Sequence, residues 1–139
     1  MDYILIVEDE IIAREAITVR VESIIKALKL DNKYKATAVD TIEEMEKFIE
    51  GKSIKGILLD ISLPYSHMDE IDWSAGLKLA KKMEKEYPKI PIVIFTGRGD
   101  PFPEEDAKKL KNVIAFFRKP MPGLELRDAI ETMLKGISK

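Results

Sequence analysis

The sequence predicts an α/β fold in which five parallel strands alternate with five helices around one doubly wound sheet. Two observations support this prediction. Short apolar runs alternate with longer amphipathic segments, which is the pattern of successive strand–helix units. Three runs, residues 4–7, 57–59 and 92–95, are apolar at every position, as expected for strands buried on both faces of a sheet.

The predicted strands span residues 3–7, 34–39, 56–60, 92–96 and 113–117. The segments between them carry apolar residues at the spacing of one helix face. In the first helix these residues are Ile17, Val21, Ile24 and Leu28, and in the last they are Leu126, Ile130, Met133 and Ile137. Five strand–helix pairs therefore follow one another, with no internal repeat.

The other three helices have their own sequence features. Thr41 followed by Glu44 resembles a capping box, which predicts the start of the second helix. The third helix carries an apolar face formed by Leu77, Ala80 and Met83, and it is ended by Pro88. A weaker, more polar pattern at residues 103–110 predicts the fourth.

Length and composition limit the classes of protein that the chain can represent. Its 139 residues suffice for one core, so we predict a single domain over residues 1–139. The net charge of −2 comes from interspersed acidic and basic residues without a basic stripe, which does not favour nucleic acid as a partner. The absence of cysteine excludes disulfides and thiolate metal sites. No run of about 20 apolar residues is present, so we expect a cytoplasmic protein without membrane insertion.

Acidic residues follow two of the predicted strands. A doubly wound sheet places its ligand site beyond the carboxyl ends of its strands, where Glu8, Asp9 and Asp60 would converge. Clustered carboxylates repel one another unless a cation relieves the repulsion, and Mg²⁺ prefers such oxygen ligands. The alternative is that residues 8–10 only cap the first helix, where acidic groups suit the helix dipole.

Asp60 is the residue of this group that is hardest to explain structurally. It follows a run that belongs in the core, and a carboxylate there costs free energy unless a charge or metal meets it. Carboxylates also serve as nucleophiles that hold a phosphoryl group. Lys119 and Thr96, at the ends of two other strands, would supply the positive charge and the hydroxyl that phosphoryl transfer requires.

Four segments together resemble a known family. They are Glu8-Asp9-Glu10, Asp60-Ile61-Ser62-Leu63-Pro64, Ile94-Phe95-Thr96-Gly97 and Phe116-Phe117-Arg118-Lys119-Pro120. In order, spacing and residue type they resemble the response-regulator receiver domain of two-component signalling, as a single domain similar to the chemotaxis regulator. The resemblance covers nearly the whole chain and implies a flavodoxin-like (βα)5 fold with strand order 2-1-3-4-5.

The resemblance also implies a phosphoacceptor switch rather than an enzyme with a separate substrate. Asp60 would accept a phosphoryl group from the phosphohistidine of a sensor histidine kinase or phosphotransfer protein, Lys119 would contact that group, and the domain would slowly remove it. The implied Mg²⁺ ligands are Glu8, Asp9, Asp60 and the carbonyl of Ser62. Thr96 and Phe116 form the implied switch. Their movement would change the surface of the fourth helix, fifth strand and fifth helix, for a downstream protein or a phosphorylation-dependent homodimer.

One departure and two alternatives accompany this interpretation. The loop at residues 65–75 is longer than in many family members, and we expect it to affect partner choice or access to Asp60. A receiver-like interaction module that works without phosphorylation is the first alternative. The second is an aspartyl-phosphate phosphohydrolase resembling the haloacid dehalogenases, although Asp60-Ile61-Ser62 lacks that family's second aspartate.

Overall fold

In the computed structural model, which describes residues 1–60, 75–97, 104–119 and 123–135, five strands alternate with five helices. The strands are β1 (Asp2–Val7), β2 (Tyr34–Val39), β3 (Ile54–Asp60), β4 (Ile92–Thr96) and β5 (Val113–Arg118). The helices are α1 (Ile11–Ala27), α2 (Ile42–Gly51), α3 (Ala75–Glu86), α4 (Glu104–Lys108) and α5 (Gly123–Lys135). Neighbouring strands are parallel, in the order β2-β1-β3-β4-β5. The predicted doubly wound fold is therefore confirmed.

The sheet divides the core into two layers because successive side chains of a strand point to opposite faces. Ile4 and Ile6 of β1 pack in a layer with α1 and α5. Leu5 and Val7 pack in the other layer, with α2, α3 and α4. All four are fully buried, which explains why this strand is apolar at every one of these positions. The two layers are called here the α1/α5 face and the α2–α4 face.

The helices agree with the sequence pattern except in detail. In α1 the fully or nearly buried residues are Ile17, Val21 and Ile25, whereas the predicted Ile24 and Leu28 are only partly buried against the same layer. These buried residues recur every four positions on the side of α1 that faces the sheet. The helix ends at Ala27 with Leu28 as its C-cap, after which Lys29 adopts a left-handed φ of 61°. Ile137 lies outside the described residues.

The shorter helices also differ in their ends. Thr41 caps α2 as predicted, since its hydroxyl accepts a hydrogen bond from the Glu44 N–H at 3.1 Å. Within the described residues helix α4 spans Glu104–Lys108, so it ends two residues before the predicted end at residue 110. A carboxylate oxygen of Glu84 in α3 accepts the Lys111 N–H at 2.6 Å, which fixes the turn after α4. This long-range contact is not visible in a local sequence pattern.

Among the described residues, none of the helices combines the length and the apolar character that a membrane crossing requires.

Gly56 allows α5 to approach β3 closely, which yields a test of the packing. A Cβ atom at this position would lie 2.1 Å from Sδ of the buried Met133. We expect Gly56→Ala to lower the free energy of unfolding by about 1–3 kcal/mol, because the core would have to rearrange. Gly51→Ala is the matched control, since nothing lies within 4 Å of its Cβ position.

The overpacking explanation requires that the cost disappears when Met133 is shortened. In a Met133→Ala background, Gly56→Ala should therefore cost little, as measured by urea unfolding of the four proteins in a double-mutant cycle. Strict additivity of the two substitutions would contradict the explanation.

Candidate functional site

The register of the sheet brings the ends of four strands to one edge. It pairs Val7 with Leu59, Asp60 with Phe95, and Thr96 with Arg118. Glu8 follows Val7 and so lies level with Asp60, and Lys119 follows Arg118. The predicted residues of β1, β3, β4 and β5 therefore meet where a doubly wound sheet places its ligand site.

Strand alternation also decides on which face these side chains lie. Glu8 and Asp60 have the parity of Ile6 and Leu58, which belong to the α1/α5 face. Nζ of Lys119 lies 5.2 Å from the ring centroid of Phe95. Phe95 belongs to the same layer. The two carboxylates and the lysine consequently come together on one side of the sheet edge.

An acidic cluster forms at this edge. One carboxylate oxygen from each of Glu8, Asp9 and Asp60 lies within 4.8 Å of the others. Lys119 donates a hydrogen bond to Oε1 of Glu8, and its Nζ lies 3.5 Å from Oδ2 of Asp60. Oε2 of Glu8 is buried and accepts no hydrogen bond from the described residues. The cluster thus holds more negative charge than Lys119 offsets.

Burial and mutual repulsion alter the acidity of these groups. Burial raises the pKa of Glu8 to about 7, the neighbouring Asp60 carboxylate adds to the increase, and Lys119 opposes it. Burial and the charge of Glu8 raise the pKa of Asp9 as well. Burial disfavours the ammonium of Lys119, but its hydrogen bond to Glu8 and the charges of Asp60 and Glu8 together raise its pKa. At neutral pH Lys119 therefore remains charged, whereas the pKa of Glu8 lies close to the pH of the solution.

The first acidic segment serves two purposes at once. The Glu10 carboxylate accepts the N–H groups of Ile12 and Ala13 at 3.2 and 2.6 Å, and so caps α1. The capping alternative is thus correct for Glu10. It does not account for Glu8 and Asp9, whose carboxylates join the cluster instead.

Arg14 is a contact residue of this segment that the sequence analysis did not identify. Its Nη1 donates to the backbone carbonyls of Glu8 at 3.2 Å and Asp9 at 3.3 Å. A basic residue one turn into a helix that follows an acidic run could have suggested such a contact, because a long side chain there can reach back to the preceding turn.

Thr96 and Phe116 lie toward the opposite face. Thr96 is fully buried, and its backbone carbonyl accepts the Lys119 N–H at 2.7 Å. Phe116 pairs in register with Ile94 and packs against the α2–α4 face. Its ring is half-buried, with the guanidinium carbon of Arg118 5.6 Å from the ring centroid. The predicted switch residues are thus neighbours on one face.

Part of the predicted site cannot be compared with the structure. Ser62 lies outside the described residues, as does most of the enlarged loop at 65–75. The role of Ser62 as a metal ligand and the effect of the loop on partner choice or access to Asp60 stay predictions.

The raised pKa of Glu8 predicts how stability depends on pH in the metal-free protein. The folded state holds the Glu8 proton to about pH 7, whereas the unfolded state releases it near 4.5. Stability should therefore fall as the pH rises through this interval. Glu8→Gln removes the ionisation, and we expect it to raise the free energy of unfolding at pH 8 by about 1–3 kcal/mol.

Urea unfolding in chelator at pH 5.5 and pH 8 measures this effect. Glu15→Gln, at an exposed position of α1, is the matched control and should change little at either pH. An equal effect of both substitutions at pH 8 would contradict the assignment of the raised pKa to Glu8.

Comparison with known proteins adds independent information. A family model described as response regulator receiver domain matches residues 4–131. A receiver domain protein from Clostridium thermocellum superposes with a TM-score of 0.70 at 20% identity, covering 97% of this chain and 95% of that chain. A CheY-like receiver domain protein from Methanospirillum hungatei gives 0.64 at 23% identity, with coverage of 97% and 98%.

The receiver domain of a signal transduction histidine kinase from Syntrophus aciditrophicus gives a TM-score of 0.69 at 21% identity, covering 100% of this chain and 94% of that chain. A search of curated proteins gave no significant match. At these identities the structural likeness supports the fold, and the family model supports the membership. Because that model spans residues 4–131, the chain belongs to the response regulator receiver domains, the regulatory phosphoacceptor domains of two-component signalling.

Proposed function

We propose that this chain is a phosphoacceptor switch in which Asp60 takes a phosphoryl group from the phosphohistidine of a partner protein. The observation that supports this most strongly is the convergence of Asp60 with Glu8, Asp9 and Lys119 at one sheet edge. Asp60 is only 4% exposed and is the last residue of β3. A phosphodonor would therefore have to reach it from the edge where the strands end. We also propose that residues 1–139 form a single receiver domain, supported by the family match over 4–131.

The acidic cluster fits a bound Mg²⁺ ion. If ionised, its three carboxylates and Lys119 together carry a charge of −2, which a divalent cation would balance. The buried Oε2 of Glu8 is an oxygen without a donor among the described residues, and hard oxygen donors are what Mg²⁺ prefers. Glu8, Asp9, Asp60 and the carbonyl of Ser62 would hold the ion. When bound, it would supply positive charge to the oxygens of the phosphoryl group.

The transfer step uses the carboxylate of Asp60 as the nucleophile. One of its oxygens forms a bond to phosphorus while the bond between phosphorus and the histidine nitrogen breaks, and the electron pair of that bond remains on the imidazole. Lys119 neutralises charge on the phosphoryl oxygens, since its Nζ already lies 3.5 Å from Oδ2 of Asp60. Positioning and charge stabilisation are the main requirements of such a step.

The response to phosphorylation passes through Thr96 and Phe116. The Thr96 hydroxyl hydrogen-bonds a phosphoryl oxygen, and the half-buried Phe116 ring moves inward on the same face of the sheet. The backbone hydrogen bond between Lys119 and Thr96 links the two strand ends, so a shift of one strand end is transmitted to the other. The α4–β5–α5 surface thereby changes for a downstream protein or a second copy, through a shift between two states.

The proposal predicts that Asp60 is the residue modified. Incubation with Mg²⁺ and acetyl phosphate or phosphoramidate should add one phosphoryl group to the wild type, read by intact mass. Asp60→Asn should add none, because an amide is not a nucleophile of this kind, and chelator should abolish the adduct. A folded wild type that forms no adduct with either donor would instead favour the phosphorylation-independent interaction module. An adduct that persists in Asp60→Asn would place the chemistry elsewhere.

Lys119 provides a second test. We expect Lys119→Met to slow phosphorylation by about 10²-fold at saturating Mg²⁺, since its positive charge next to the reacting oxygens is lost. Lys26→Met, at an exposed position of α1, controls for the loss of a surface lysine and should leave the rate unchanged. A Lys119→Met rate within about twofold of wild type would show that this charge is dispensable.

A further inference from the structure

Arg14 holds the main chain of the two acidic residues that follow β1. Its Nη1 donates to the carbonyl oxygens of both Glu8 and Asp9, at 3.2 and 3.3 Å. These two carbonyls belong to the consecutive peptide groups on either side of Asp9. Because the two peptide planes determine the direction of the Asp9 Cα–Cβ bond, a single guanidinium restrains the direction in which the Asp9 side chain leaves the backbone.

The rest of this turn is restrained from other sides. The Glu8 N–H donates to the Val39 carbonyl of β2 at 3.1 Å. The Glu10 carboxylate caps α1 through the N–H groups of Ile12 and Ala13. Among the described residues, the Asp9 carbonyl has its hydrogen bond only from Arg14. Loss of the guanidinium would therefore release the peptide group after Asp9.

Arg14 can affect the acidic cluster in two ways, through its positive charge or through the restraint that its hydrogen bonds place on the backbone. The two possibilities predict opposite results. A cation near the cluster weakens the binding of another cation, so its removal should tighten Mg²⁺ binding, whereas loss of a restraint should weaken it.

We propose that Arg14 is a positioning residue that pre-orients Asp9, and with it the Glu8–Asp9 turn, for the divalent cation. This inference rests on the proposed function, because it assumes that the acidic cluster binds Mg²⁺. A guanidinium has no oxygen with which to bind the ion, and the Arg14 donors are directed at backbone carbonyls. Arg14 acts through the backbone, in the way that outer residues orient the ligands of metal sites.

Mg²⁺ titration of the metal-free protein, followed by amide chemical shifts without a phosphodonor, tests the proposal. Arg14→Met removes the donors and keeps much of the side-chain volume, and we expect the dissociation constant to rise about tenfold. Arg14→Lys keeps the charge but loses the planar guanidinium, and should also bind more weakly than wild type. Arg127→Met, at an exposed position of α5, is the matched control and should bind as wild type does.

A second readout separates positioning from a general loss of structure. The Mg²⁺ concentration for half-maximal phosphorylation should rise in Arg14→Met, while the rate at saturating Mg²⁺ stays within about twofold of wild type. Should Arg14→Met not fold, Arg14→Lys carries the same test. Unchanged or tighter Mg²⁺ binding in the folded variant would overturn the role of Arg14 alone. A wild type that binds no Mg²⁺ would overturn both this role and the metal site on which it rests.

Discussion

The burial of negative charge at the end of β1 constrains the whole edge of the sheet. Glu8 directly follows a strand with four fully buried residues and is itself fully buried beside Asp60. A carboxylate in such a place costs several kcal/mol unless other charges or donors compensate. Lys119 offers partial compensation, but it is shared between Glu8 and Asp60. The fold therefore maintains at this edge a site that favours the arrival of further positive charge.

The alternation of side chains separates the groups that we propose to react from those that we propose to respond. Glu8, Asp60 and Lys119 lie on the side of the α1/α5 face, whereas Phe116 packs on the α2–α4 face. The two sets are joined by the backbone, where the Lys119 N–H meets the Thr96 carbonyl. In the proposed mechanism, a change in charge on one face would reach the other through the ends of β4 and β5. No long chain of side chains is required for this coupling.

The sequence was sufficient for the fold and for most of the cluster, for a definite physical reason. Strands that are apolar at every position must be buried in a parallel sheet, and the ends of parallel strands meet at one edge. Details that depend on side-chain reach were not accessible. The ion pair of Lys119 with Glu8 as well as Asp60, and the contacts of Arg14, follow from rotamers and turn geometry. Ile25 rather than Ile24 is buried because the sheet, and not the helix alone, selects the face of α1.

Buried polar side chains distinguish what the fold requires from what the function requires. Among the described residues they are Glu8, Thr41, Asp60, Thr96 and Asn112. Thr41 is explained by structure, since it caps α2. Asn112 is the exception, because its side-chain atoms have no partner among the described residues and lie away from the site edge, at the start of β5. The other three sit together at the carboxyl ends of β1, β3 and β4. An apolar core would be at least as stable with nonpolar residues there, so their polarity is best explained by the chemistry of that edge.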